Sequence, residues 1–156
     1  MSAPLVVRFS AAALMFMLSP LALAEGACLL TPAELQAATG RAYSEGQATK
    51  VVGDGSPLCV YAETAQPQRK LTIGVSTQNA RRQFESRMRL LKMGNKPIDL
   101  AGVGDAAYFN GTSAGVLAGE RFISLSGLRR GASKDQQVTP QRVVSLLQAV
   151  LKRIAP

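Results

Sequence analysis

Gly102-Val103-Gly104-Asp105-Ala106-Ala107-Tyr108-Phe109-Asn110 is the stretch whose reading decides the fold. Its two spaced glycines, with Ala107 three residues on, approach the G-x-G-x-x-G/A fingerprint of a dinucleotide loop. That loop must follow a strand and open a helix, so that the helix N-terminus meets the pyrophosphate. The residues after the glycines instead alternate small and aromatic, then end in Asn110-Gly111, a strong hairpin signal. The segment before them, Lys96 to Leu100, is short and carries Pro97. Gly102, Gly104 and Asp105 therefore read as a structural turn leading into a strand, with no nucleotide cofactor expected.

Outward from this turn the chain has a repeating plan. Asn110-Gly111 links a strand over Ala106 to Asn110 to a second over Ala114 to Gly119, and Arg121 to Gly127 supplies a third. Upstream, Gln47 to Val52, Leu58 to Glu63 and Lys70 to Ser76 read as three more strands, with turns at Gly53 to Pro57 and Gln66 to Gln68. Thr31-Pro32-Ala33-Glu34 has the signature of a capping box with proline in the first turn, and Gly40 supplies a stop. Asn79 to Met93 places Ala80, Phe84, Met88 and Leu91 on one helical stripe closed by Gly94. A polar stretch, Arg129 to Gln137, leads to Thr139-Pro140 and a last helix with Val143, Leu147, Val150 and Ile154 on one face. The order is α-βββ-α-βββ-α. Strands joined by short turns pair antiparallel, so the expected fold is α+β, a mostly antiparallel sheet of about six strands flanked by helices.

The 24 N-terminal residues carry one basic residue (Arg8), an apolar run from Ala11 to Leu18, Pro20, and a small-x-small ending at Ala22-Leu23-Ala24. This is the pattern of a cleaved export signal. Pro20 and the cleavage box argue against a membrane anchor, which needs about 20 unbroken apolar residues. Residues 25–156 then form a single α+β domain with no transmembrane segment, and the expected location is periplasmic or secreted.

Two cysteines, Cys28 and Cys59, lie in that mature part. An even pair in an oxidising compartment reads as one disulfide bond. A metal site is the competing reading, but the chain has no histidine and two thiols make an incomplete zinc site. No histidine also means that the usual general base for a serine or cysteine nucleophile is missing. Ser124 and Ser126 alternate with Leu125, no close pair of acids suits glycoside cleavage, and Asp105 reads as a partner for turn backbone donors. Neither an enzyme nor a cofactor is expected.

Whole, the chain has 18 basic and 10 acidic residues, a charge of +8. Removing Arg8 with the signal leaves +7, which attracts anions. The densest positive feature is Arg81, Arg82, Arg87, Arg89 and Lys92, set mainly opposite the apolar stripe, with Glu85 four residues from both Arg81 and Arg89. Such i,i+4 pairs are worth only about 0.2–0.5 kcal/mol each, so most of the charge stays uncompensated. These five residues are the candidate binding site for an anionic envelope component or an acidic protein, nucleic acid being out of place in an exported protein. The bland alternative is a solvated helix face.

Taken together, Cys28-Leu29-Leu30-Thr31-Pro32-Ala33-Glu34 with Gly40, then Cys59-Val60-Tyr61, then Gly102 to Phe109, resemble a family of small exported bacterial domains. These are uncharacterised lipoproteins and secreted proteins, described only as a domain of unknown function. The resemblance spans most of the mature chain. It implies a fold similar to the PsbP-like group and a Cys28–Cys59 pairing, and it brings no catalytic residues. The chain departs from the lipoprotein members at Glu25-Gly26-Ala27, a poor lipobox before Cys28. The function this reading supports is a non-enzymatic cell-envelope binding or accessory protein. The alternative is a small-molecule carrier or histidine-independent hydrolase with a pocket between sheet and helices.

Overall fold

The computed structural model describes residues 27–51, 56–94, 96–128 and 137–154. Residues 1–26, which include the expected export signal, most of the turn at residues 53–57, and residues 129–136 of the polar stretch lie outside these. The elements in chain order are α1 (Pro32–Thr39), β1 (Gln47–Lys50), β2 (Pro57–Ala62), β3 (Lys70–Ser76), α2 (Ala80–Gly94), β4 (Ile98–Asp99), β5 (Ala106–Phe109), β6 (Ser113–Ala118), β7 (Arg121–Ser126) and α3 (Pro140–Ile154). All strands pair antiparallel in one sheet of order β1-β2-β3-β7-β6-β5-β4. The sheet has seven strands rather than about six. The extra one, β4, is two residues long at the sheet edge, pairing Ile98 with Phe109 and Asp99 with Tyr108. A strand so short carries no alternation to read.

The sheet is two meanders stitched at its centre. β1-β2-β3 and β4-β5-β6-β7 each fold locally, and they join where Thr72 pairs with Ser126 and Ser76 with Phe122. Alternation then sorts the side chains by face. Leu71, Ile73, Val116, Ile123 and Leu125 point one way, into a core closed by Leu35 and Ala38 of α1 and by Val143, Leu146, Leu147 and Val150 of α3. Tyr108, Leu117 and Phe122 point the other way and meet Ala80 and Phe84 of α2. There the Phe84 ring sits edge-on to Phe122 at 5.6 Å between centroids, and tilted to Tyr108 at 5.8 Å. Gly115 makes room for this cluster, since a Cβ there would come within 2.6 Å of the Tyr108 ring.

α1 forms by local logic. The Thr31 hydroxyl accepts from the Glu34 amide at 3.3 Å, and the Glu34 carboxylate accepts from the Thr31 amide at 2.8 Å. Glu34 also receives the Arg153 guanidinium of α3 through two hydrogen bonds of 2.8 and 2.9 Å. This arginine, ahead of the capping contacts, holds the Glu34 carboxyl below its ordinary value against a smaller opposing effect of burial. The pair is partly exposed, so its contribution is on the order of 1 kcal/mol or less. Its importance is geometric, because it clips α1 to α3.

Cys28 and Cys59 are disulfide-bonded, with Cα atoms 4.8 Å apart. Cys59 is fully buried on β2, whereas Cys28 is exposed in the segment before α1. Beside the bridge, the buried Tyr61 hydroxyl donates to the Leu30 carbonyl at 2.7 Å and accepts from the Leu30 amide at 3.3 Å. Burial pushes the Tyr61 phenol above its ordinary value. One covalent and two polar contacts therefore fix the N-terminal segment to β2.

Candidate functional site

The glycine turn is structural in its geometry. Gly102 and Gly104 have φ of +74° and +58°. A Cβ on Gly104 would lie 2.5 Å from the Leu117 carbonyl oxygen, so the backbone passes too close for any side chain. The Asp105 amide donates to that carbonyl at 2.8 Å, and its carboxylate accepts from the Gly119 amide at 2.8 Å. Asp105 thus ties the entrance of β5 to the β6–β7 turn. The element entered from the glycines is strand β5, so the helix N-terminus of a dinucleotide site is missing from this place.

The five candidate cations all lie on α2. Ala80 and Phe84 are buried, Met88 and Leu91 are half-buried, and Arg81, Arg82, Arg87, Arg89 and Lys92 are exposed. The apolar stripe faces the sheet as the spacing predicts, but its C-terminal half rides more shallowly than its start. At 3.6 residues per turn, Arg81, Arg82, Arg89 and Lys92 share one flank with Glu85, and Arg87 projects from the other. Glu85 is the one acid of the helix. Among the described residues the salt bridges are Arg41–Glu63 and Arg153–Glu34, neither of them on α2. Arg89 does donate to the Ser86 hydroxyl, at 3.3 Å. The helix therefore presents five cations and one acid to solvent without ion pairing.

Open grooves run along both flanks of α2. One, of about 660 Å³, has Phe84, Met88, Leu100 and Ala106 as its apolar floor and Glu85, Arg89, Lys92 and Asp99 around it. The other, of about 420 Å³, is lined by Gln83, Ser86, Arg87 and Leu90 on the helix and by Tyr108, Phe122, Ser124 and Ser126 on the sheet. Ser124 and Ser126 therefore line the same groove as Arg87. The described residues contain no group of three or more metal-binding side chains, and both thiols are consumed in the disulfide. Among the described residues no helix is long and apolar enough to cross a membrane.

Two further residues of α2 were not singled out by the sequence pattern. Leu90 is 62% exposed and Met93 85% exposed. Both lie off the Ala80/Phe84/Met88/Leu91 stripe, and that offset is the sequence signal that marks them. No family model, curated protein or solved structure matches this chain.

Proposed function

We propose that this protein is a non-enzymatic, exported binding module of the cell envelope, whose α2 cations engage an anionic partner. The observation that carries the reading is the set of five exposed cations on a 15-residue helix with one acid and, among the described residues, no salt bridge. Arginine forks match carboxylate and phosphate geometry, and four of the five cations are arginine. Export is supported by the N-terminal signal pattern and by the disulfide, a bond that persists in oxidising compartments. A small-molecule carrier is the second reading, favoured by the apolar floor of the groove between α2 and β5.

The test is salt-gradient elution from a dextran sulfate matrix, comparing wild type with Arg82→Glu/Arg89→Glu. The double reversal leaves α2 with three cations and three acids. The variant is expected to elute at clearly lower salt, because screening weakens an exposed electrostatic contact as the Debye length falls below about 10 Å. Its thermal stability should stay near wild type, since exposed charges contribute little to folding. Equal elution of the two folded proteins would refute the binding role of the helix.

A further inference from the structure

We infer that the anionic partner is a phospholipid surface, on which α2 lies flat with Leu90 and Met93 inserted among the headgroups. The inference rests on the cationic reading of α2 above and adds to it a second, independent feature. Met93, 85% exposed, lies outside both core clusters, and Leu90, 62% exposed, only rims the groove beside Tyr108 and Phe122, yet these two stand on the most cationic element of the chain. At 3.6 residues per turn, Met93 is about 40° around the helix from Arg89, and Leu90 is about 60° from both Met93 and Arg87. The outward face thus has an apolar pair bounded by Arg82 and Arg89 on one side and by Arg87 on the other. Lys96, also exposed, continues the positive charge past the helix end.

This is the arrangement of an interfacial helix, with cations at headgroup depth and apolar side chains just below. A polyanionic saccharide offers phosphate or carboxylate analogues but no apolar depth for Met93, so it would leave the pair in water. The acids at this end are Glu85 and Asp99, both on the groove side facing Lys92, away from Leu90. Ile98, the other exposed large apolar residue among those described, pairs with Phe109 and so projects from the opposite sheet face. It takes no part. The helix is peripheral to the bilayer, resting on it rather than crossing it.

The chain contains no tryptophan, so Met93→Trp introduces a unique fluorescent reporter. The disulfide-intact variant is mixed with phosphatidylglycerol–phosphatidylcholine vesicles, with pure phosphatidylcholine vesicles, and with dextran sulfate. Blue-shifted emission and quenching by brominated acyl chains are expected with the anionic vesicles alone. Leu90→Ser/Met93→Ser should lower affinity for those vesicles at least about tenfold, with binding to dextran sulfate unchanged. Unshifted emission on bound vesicles, or undiminished vesicle affinity of the serine variant, would overturn insertion and leave the cationic contact standing. Binding to dextran sulfate or an acidic protein but not to anionic vesicles would overturn the lipid assignment alone. Binding to none of these anions would remove both readings.

Discussion

Opening the Cys28–Cys59 bridge tests how the fold is held. The cysteines are 31 residues apart in sequence. In the chain-entropy account, closing a loop of that length removes about 12 cal/mol/K from the unfolded ensemble, or about 3.7 kcal/mol at 25 °C. Cys28→Ala is the cleaner perturbation, because Cys28 is exposed while the Cys59 sulfur remains in its buried place. With an unfolding entropy of about 2.1 cal/mol/K per residue over roughly 130 residues, the melting temperature should fall by about 13 °C. Urea denaturation supplies a second readout. An uncrosslinked unfolded chain exposes more surface, so the denaturant slope of the variant should be steeper as its midpoint falls. A loss below about 1 kcal/mol with an unchanged slope would refute the argument that the bridge acts on the unfolded chain.

Two smaller perturbations probe the same framework. Tyr61→Phe strips the buried hydroxyl from both backbone groups of Leu30, and should cost about 1–3 kcal/mol in urea denaturation; a loss under about 0.5 kcal/mol would mean those groups find other partners. Gly102→Ala and Gly104→Ala form a matched pair, since both positions have positive φ but only Gly104 is crowded by the Leu117 carbonyl. Gly102→Ala should cost about 1–2 kcal/mol from backbone strain, with overpacking adding about 1–3 kcal/mol at Gly104, and equal losses in thermal melts would disprove the close approach.

What the sequence made legible was local. Thr31, Pro32 and Glu34 specify the start of α1 within four residues, and Thr139-Pro140 does the same for α3, where the Thr139 hydroxyl accepts from the Arg142 amide at 3.4 Å. Asn110-Gly111 marked its hairpin because the Asn110 side chain binds the Ser113 amide at 2.7 Å and Gly111 takes φ of +94°. What stayed hidden was long-range. No residue pattern says that β3 will find β7 about fifty positions later, and the two residues of β4 are ordered by Tyr108 and Phe109 rather than by any propensity of their own. For α2 the arginines were legible as charges off the apolar stripe. For Leu90 and Met93 the signal was weaker: only their offset around the helix from that stripe marks them, with no charge to draw attention to it.

Finally, α3 comes later in the chain than every strand that it helps to cover. Val143, Leu146, Leu147 and Val150 close the face on which Leu71, Ile73, Val116, Ile123 and Leu125 lie. A chain emerging N-terminus first therefore has all of its strands in hand while α1 alone is available to cover that side of the sheet. The first meander can pair, and its disulfide can close, well before that side is sealed. Until α3 docks, the apolar side chains of Leu71, Ile73, Val116, Ile123 and Leu125 lack the Val143, Leu146, Leu147 and Val150 side chains that bury them, so the last 15-residue helix completes a core that the rest of the chain leaves open.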